Sequence, residues 1–338
     1  MEHKFRQAGR SGSLSKGCNQ CSKIGQEERE EGVNMNRILR KVFRKDIRKT
    51  FPEIEYPIHF PGGETEASLF DYLKGFHLGD SPTMGELDNY LKEDFRRFVY
   101  TLNLLPQDHQ GRLLEIGANP YFTSILLKKF TNFDLFFTNY FGIDSGTATQ
   151  IQRNLSCNEV FEFEYVNHNI DVEDIPFEQK FDVILFCEVL EHLINDPMQA
   201  LLRIKKSLQP NGMLILTTPN VNRLENVARM IAGANIYDPY SGYGIYGRHN
   251  REYNKHEIAM LLSHCGFEIE EMFSSDVHDN RSEGFFSVNR LSENLLDVKH
   301  RSLDLGQYIF VRARNAAPEK PGKPTWLYRS YPASELCD

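Results

Sequence analysis

Residues 112–120 read RLLEIGANP, an apolar run that ends in an acidic residue and a glycine turn. Residues 181–193 read FDVILFCEVLEHL and repeat this design, because a second apolar run ends in acidic residues. Both runs have the length and composition of buried parallel strands. The carboxyl ends of neighbouring parallel strands form a crevice that accepts nucleotide-sized ligands. The two stretches therefore predict an α/β fold with a cofactor site at one edge of its sheet.

Apolar runs and helical patterns alternate between residues 111 and 314. The predicted strands are 113–117, 133–141, 162–169, 181–187, 213–219, 267–275 and 307–314, and the predicted helices are 84–105, 123–130, 198–208 and 257–265. Asp196-Pro197 and a capping box at Asn254 and Glu257 begin the last two helices. Strands that alternate with helices favour right-handed crossovers and a mostly parallel sheet covered on both faces.

The composition excludes several classes of protein. With 40% hydrophobic and 25% charged residues, the 338-residue chain is typical of soluble globular proteins. No apolar run approaches the roughly 18–20 residues that span a bilayer, and no signal-peptide pattern opens the chain. The net charge of −8 argues against a nucleic-acid partner. Six scattered cysteines predict reduced thiols in a cytoplasmic protein, and the lone pair Cys18 and Cys21 lacks the second pair of a zinc ribbon.

The composition also changes along the chain. The predicted segments are a disordered tail over 1–34 (with Met35 as an alternative start), a basic helix, linker and helical cap over 35–107, a catalytic domain over 108–315 and a tail over 316–338. Residues 35–49 hold seven Arg or Lys and one acid. We favour a helix that packs its apolar face on the main domain, and the alternative is a helix on an anionic membrane surface.

The glycine turn limits the ligand. Gly117 allows the backbone to turn tightly and to approach a ligand. Ala118, Asn119 and Tyr121 occupy positions at which a dinucleotide-binding turn has glycine. A pyrophosphate also prefers helix N–H groups to a nearby carboxylate. Glu115 therefore favours a cationic ligand group such as an α-amino group, and a purely structural glycine turn is the alternative.

Four segments occur in a diagnostic order, namely LLEIGANP, NIDVEDIPF, FDVILFCEVLEHL and LQPNGMLILTTPN. Residues 112–220 thereby resemble the class I S-adenosylmethionine-dependent methyltransferases, in the group with an EVLEHL block after the fourth strand. The resemblance implies a Rossmann-like, seven-stranded mixed sheet whose last strand is antiparallel. It also implies cofactor-binding residues: Glu115, Gly117 and Asn119 for the methionine part, Asp171 and Val172 for adenine, and the Cys187 carbonyl for the amino group. Relatives end strand two with an acid that binds the ribose; here the position is Asn139, or Asp144 if the strand continues.

Acidic and histidine side chains follow the fourth predicted strand. If a helix begins near residue 188, Glu188, Glu191 and His192 share one face of it. Similar ExxEH arrays bind a divalent metal in small-RNA 2′-O-methyltransferases and ubiquinone-pathway O-methyltransferases, and His249 occupies a comparable place after the next strand. The resemblance makes these four residues candidate ligands of Mg²⁺ or Zn²⁺, but we favour the alternative, in which Glu191 and His192 only cap and orient a loop. We predict that His192 and His249 handle the acceptor proton.

Residues 237–253, YDPYSGYGIYGRHNREY, lie in a predicted acceptor-binding insert over 221–253. Tyr and Arg side chains suit a sugar ring, an aromatic ring or a phosphate, and the alternative is a surface loop. We therefore predict a methyltransferase that modifies an oxygen, or a nitrogen, of a small molecule such as a sugar, glycan or lipid-linked acceptor. Alternatives are a non-catalytic cofactor-binding scaffold and an NAD-dependent oxidoreductase, and the net charge argues against an RNA acceptor.

Overall fold

The computed structural model describes residues 57–78, 84–108, 110–142, 146–287 and 304–338. The predicted tail 1–34, the basic helix 35–49 and Asp144 lie outside these residues. In the described part of the chain, none of the helices combines the length and apolar character needed to cross a membrane.

The strands and helices follow the predicted alternation. The strands are β1 (Phe76–Leu78), β2 (Arg112–Ile116), β3 (Asp134–Asn139), β4 (Gly146–Asn154), β5 (Glu159–Asn167), β6 (Phe181–Cys187), β7 (Leu208–Pro219), β8 (Phe267–Ser275), β9 (Tyr308–Asn315), β10 (Lys323–Pro324) and β11 (Leu336–Cys337). The helices are α1 (Glu66–Lys74), α2 (Met84–Asn103), α3 (Phe122–Phe130), α4 (Pro197–Ser207), α5 (Leu224–Ile231) and α6 (Lys255–His264).

One sheet of nine strands dominates the fold, in the order β1-β4-β5-β3-β2-β6-β7-β9-β8. The strands from β5 to β7 in this order are parallel, and β9 lies antiparallel between β7 and β8. The Rossmann-like fold and its antiparallel last strand are thus confirmed. The predicted number of seven strands is too low, because β1 and β4 extend the edge beyond β5. The prediction missed β4 because its first half, GTAT, is exposed and contains no apolar run.

Helices cover both faces of the sheet. The connection through α3 leads from β2 to β3, whereas α4 leads from β6 to β7 in the opposite direction along the sheet. Because both crossovers are right-handed, the two helices lie on opposite faces. On the α3 side, Leu113, Leu185 and Ile215 belong to a buried cluster that includes residues of α1, α2 and α3. Phe98 of α2 stacks on Phe122 of α3 with ring centroids 5.5 Å apart, so α2 caps this face.

Side-chain caps begin α4 and α6 at the predicted residues. Asp196 accepts hydrogen bonds from the N–H groups of Met198 and Gln199, at 3.0 and 3.2 Å. Asn254 and Glu257 form both arms of a capping box. Such caps each stabilise a helix by about 1 kcal/mol. The carboxylate of Asp196 also accepts from Lys323 Nζ at 2.6 Å and from the Tyr328 hydroxyl, so it fixes the C-terminal segment to α4.

Candidate functional site

The sheet order reverses between β2 and β6. From this pair the chain crosses to β3 on one side and to β7 on the other, so the carboxyl ends of β2 and β6 flank a crevice. Gly117 follows β2 with φ of 77°, and its N–H donates to the Thr138 carbonyl at 2.8 Å. A Cβ atom there would lie 2.7 Å from Cγ2 of Val189. Both the backbone angle and the close approach therefore require glycine.

The end of β6 presents a carbonyl to the same crevice. The Glu188 N–H donates to the Thr217 carbonyl of β7 at 2.9 Å. Within one peptide the C=O points away from the N–H, so the Cys187 carbonyl points towards the β2 side. This is the direction that the predicted contact with a cofactor amino group needs.

Glu115 lies beneath the glycine turn. Its side chain is buried, and its carboxyl accepts a hydrogen bond from Ser124 of α3 at 2.5 Å. Burial raises the pKa of Glu115 to about 8, although Ser124 and the charge of Arg97 oppose this shift. Glu115 therefore holds a proton near neutral pH, and a cationic ligand group beside it would lower this pKa.

The raised pKa predicts a pH effect on stability. The unfolded chain releases the Glu115 proton near pH 4.5, whereas the folded protein keeps it until about pH 8. The folded state thus binds more protons in this window, and its free energy of unfolding falls as the pH rises through it. We expect Glu115→Gln to lessen this fall by a few kcal/mol at most, since one pKa unit corresponds to about 1.4 kcal/mol. Urea unfolding at pH 5 and pH 8 measures the free energy of unfolding of the wild type and of Glu115→Gln. An equal decrease between the two pH values in both proteins would contradict the prediction.

Asn139 ends β3 at the predicted ribose-binding position. Its Oδ1 accepts from the Asn119 N–H at 2.8 Å, and its Nδ2 donates to the Tyr121 hydroxyl at 2.7 Å. Tyr121 has a φ of 73° and stacks on Phe163 with centroids 4.8 Å apart. The Asn139 amide therefore fixes the turn after β2 and is buried, while the side chain of Asn119 stays exposed.

Asp171, the residue predicted to bind adenine, is also buried. Its carboxylate accepts from the Ile194 N–H at 3.0 Å, from Asn195 Nδ2 at 2.8 Å and from the Tyr246 hydroxyl at 3.2 Å. Val172 beside it is exposed, but its N–H donates to the Asn169 carbonyl at 3.1 Å. All three donors bind Oδ2, whereas the described residues give Oδ1 only the Asn195 N–H at 3.3 Å.

The helix predicted to begin near residue 188 does not form. Only Leu190–His192 makes a 3-10 turn, because the chain leaves β6 at Glu188 through a bend with a left-handed φ of 54°. Thr217 donates to Glu188 at 2.8 Å, and Thr218 donates to Glu191 at 2.9 Å. Thr217 and Thr218 are neighbours in β7, and neighbouring residues of a strand point to opposite faces of the sheet. Glu188 and Glu191 therefore lie on opposite faces of the sheet end, and the predicted shared face is wrong.

His192 and His249 are in contact. Their ring centroids are 5.0 Å apart with an interplanar angle of 78°. His192 Nδ1 donates to the Arg248 carbonyl at 3.0 Å, which leaves Nε2 at 3.8 Å from Glu191 Oε1. His249 Nδ1 lies 2.9 Å from a carboxylate oxygen of Glu252. The structure thus brings together two residues that are far apart in sequence and orients both rings.

The surroundings give the two histidines different charges. Burial and the nearby charge of His249 lower the pKa of His192. Burial alone would also lower the pKa of His249, but Glu252 and Glu191 raise it to about 9. At neutral pH His192 is therefore a neutral proton acceptor, and His249 is a cation beside Glu252. One base and one positive charge at a sheet edge can accept a proton and stabilise a developing anion.

A family model described as a methyltransferase domain matches residues 87–272, more than half of the chain. The chain belongs to this methyltransferase family. The match includes α3 and all strands from β2 to β7, and therefore the glycine turn and the Asp171 site. Membership confirms the resemblance to S-adenosylmethionine-dependent methyltransferases that the four sequence segments indicate.

Curated relatives of this methyltransferase include ubiquinone biosynthesis O-methyltransferases. That of Rickettsia bellii is 26% identical over 134 residues, which cover 38% of this chain and 50% of the relative. That of Rickettsia canadensis is 30% identical over 105 residues, which cover 30% and 42%. The chain spans about half the length of the curated relatives it matches. Among solved structures, the N-methyltransferase NodS of Bradyrhizobium japonicum has 14% identity and a TM-score of 0.41, covering 75% of this chain and 98% of NodS.

Three of the four predicted metal ligands of the methyltransferase converge. Within the described residues, Glu191, His192 and His249 offer ligand atoms that lie within 4.8 Å of one another, and Glu188 is not in this group. The buried Glu191 Oε1 has no hydrogen-bond partner in the described part of the chain. Each imidazole also has its Nδ1 held by an oxygen, as is usual for metal-binding histidines. Two imidazoles and a carboxylate fit Zn²⁺ better than Mg²⁺.

A buried ion pair on α2 completes the site and was not predicted. Arg97 Nε lies 2.9 Å from Asp94 Oδ1, and its Nη2 donates to the Tyr90 hydroxyl at 2.6 Å. Burial raises the pKa of Glu188 to about 8, and the charge of Arg97 opposes this rise. The sequence carries a signal for the pair, because Asp94 lies on the apolar stripe of α2 between Leu91 and Phe98. Charged residues on such a stripe are buried and need partners.

Proposed function

We propose that this protein transfers the methyl group of S-adenosylmethionine to an oxygen, or a nitrogen, of a small-molecule acceptor. Membership of the methyltransferase family supports the cofactor. The observation that carries the proposal is the contact between His192 and His249 at the carboxyl edge of the sheet. The Val189 side chain, in the segment between β6 and His192, lies next to Gly117. The proposed proton-handling residues are therefore close to the proposed cofactor-binding turn. The ubiquinone O-methyltransferases among the relatives support an oxygen acceptor.

Methyl transfer requires little covalent chemistry from the protein, because the cofactor supplies an activated methyl group. The protein has to align the acceptor and to remove one proton. The acceptor oxygen forms a bond to the methyl carbon while the carbon–sulfur bond breaks and S-adenosylhomocysteine leaves. Nε2 of the neutral His192 takes the hydroxyl proton, and the cationic His249 stabilises negative charge on the oxygen before the new bond is complete.

The tyrosine loop, residues 237–253, supports our choice of acceptor class. Tyr237, Tyr240 and Tyr243 are 79%, 90% and 86% exposed. The guanidinium of Arg248 lies 4.6 Å from the centroid of the Tyr240 ring. Exposed aromatic rings with polar edges stack on sugar rings and bind their hydroxyls. We therefore favour a sugar or glycan acceptor, free or lipid-linked, which the segment 221–253 would bind.

A divalent cation is compatible with the same proposal. Glu191, His192 and His249 would hold it, and it would lower the pKa of the acceptor hydroxyl. The proton would then pass to a group other than His192, whose Nε2 would be a ligand. Activity that survives treatment with a chelator would favour His192 as the direct base.

Calorimetric titration tests the proposal first. We expect the protein to bind S-adenosylmethionine and not NAD, and binding of NAD alone would favour an oxidoreductase. A pool of sugar and lipid-linked sugar acceptors then tests turnover with radiolabelled S-adenosylmethionine. Binding of the cofactor without transfer to any acceptor in the pool would favour the non-catalytic scaffold, and failure to bind the cofactor would contradict the proposal.

A further inference from the structure

Tyr246 belongs to a 3-10 turn, Ile245–Gly247, in the tyrosine loop, yet its side chain reaches the opposite side of the crevice. Its hydroxyl donates to Asp171 at 3.2 Å and accepts from Asn169 Nδ2 at 3.1 Å. Its ring packs edge-on against Tyr140, with centroids 5.2 Å apart. Tyr140 directly follows β3, and Asn169 and Asp171 follow β5. Tyr246 thus contacts the ends of both strands that flank the nucleoside side of the crevice.

The contacts of Tyr246 imitate those of a nucleoside. Its hydroxyl donates to a carboxylate as an exocyclic amino group does, and its ring packs on an aromatic side chain as a base does. The other donors to Asp171 come from Ile194 and Asn195, in the segment that leads into α4. Among the described donors, Tyr246 alone comes from the tyrosine loop. It is therefore the donor that a ligand can replace at the lowest cost.

The loop around Tyr246 is attached to the catalytic turn. The N–H groups of Asn250 and Arg251 donate to the Glu191 carbonyl at 2.8 and 3.1 Å. Nδ2 of Asn250 donates to the His192 carbonyl at 2.9 Å, and the Arg248 carbonyl accepts from the His192 ring. A displacement of Tyr246 therefore acts on the segment that holds His192 and His249 in contact.

We infer that Tyr246 competes with the adenine of the cofactor for Asp171 and that the cofactor displaces it. This inference rests on the proposed function, since it concerns the same cofactor. It assigns two roles to the loop: Tyr246 competes for the nucleoside site, and its displacement moves the residues that orient the two histidines. Cofactor binding is thereby coupled to the arrangement of the proton-handling pair.

Titration calorimetry with S-adenosylhomocysteine tests the inference on the full chain. Tyr246→Phe removes the hydroxyl that competes for Asp171 and keeps the ring, and we expect it to bind the ligand about three- to tenfold more tightly, the usual effect of one hydrogen bond. Tyr72→Phe is the matched control, because the Tyr72 hydroxyl also donates to a carboxylate, that of Glu159, but contacts none of the crevice residues named above. We expect its affinity to equal that of the wild type.

Hydrogen exchange of residues 244–251 gives a second readout. We expect S-adenosylhomocysteine to speed exchange in the wild type and to have less effect in Tyr246→Phe. Weaker or unchanged binding by Tyr246→Phe would overturn the inference, as would slower exchange in the wild type with ligand. If neither protein binds the ligand, the proposed function fails together with the inference. If both bind it equally, only the inference fails.

Discussion

Replacing His192 with alanine should lower the rate of methyl transfer about 10²- to 10⁴-fold, the usual contribution of a general base. Nε2 of this ring is the neutral acceptor nearest to Glu191, and its Nδ1 is fixed on the Arg248 carbonyl. The affinity for S-adenosylhomocysteine should change little, because His192 is not a predicted cofactor contact. Initial rates with a saturating acceptor and titration calorimetry measure the two quantities.

The control for this variant is His256→Ala, an exposed histidine on α6 whose loss should leave the rate unchanged. Added imidazole should restore part of the activity of His192→Ala, since a small base can enter the space that the ring leaves. A merely structural role would not respond to imidazole. A rate within about twofold of the wild type would exclude His192 as the general base.

Replacing Asp94 with alanine should lower the free energy of unfolding by about 3–5 kcal/mol, the usual cost of leaving a buried charge unpaired. The side chains of Asp94 and Arg97 are only 8% and 5% exposed. Arg97 also lies among the rings of Tyr90, Phe98 and Tyr308, at 5.0–5.7 Å from their centroids. Its guanidinium therefore has no access to bulk water when the carboxylate is removed.

The neighbouring pair supplies the matched control. Arg96 and Glu66 join the same helix to α1 with a distance of 2.7 Å, but their side chains are 47% and 46% exposed. Glu66→Ala should therefore cost no more than about 1 kcal/mol. Urea unfolding of both variants measures the difference. Similar losses in the two would show that burial does not determine the strength of the Asp94–Arg97 pair.

Local patterns predicted most of the fold. Apolar runs located seven of the nine strands of the main sheet, and the caps at Asp196 and Asn254 located the starts of two helices, because these signals depend on neighbours in sequence. β4 has a polar, exposed first half, and it extends the sheet by pairing with β5. Such an edge strand is stabilised by backbone hydrogen bonds to a distant strand, which composition does not reveal.

Part of the candidate site was predictable, because its residues directly follow strands in the sequence. The acidic and histidine residues were found from their positions after strands, and the structure places Glu191, His192 and His249 together. The helical face was wrong, because Glu188 bends out of β6 with a left-handed φ while its N–H bonds to the Thr217 carbonyl of β7. The hydrogen bonds that occupy Asn139 and Asp171 come from residues that share no sequence motif with them. Only the folded chain shows that these two polar groups are already satisfied.

The carboxylate of Asp196 connects the C-terminal segment to the predicted cofactor site. Ile194 and Asn195, which donate to Asp171, directly precede this cap, and Lys323 and Tyr328 hold it from the other side. Residues 323–328 thus brace, through Asp196, the segment that donates to Asp171 in the predicted adenine site. Any truncation or fusion that disturbs this brace changes the shape of the crevice, so an affinity tag is better placed far from it.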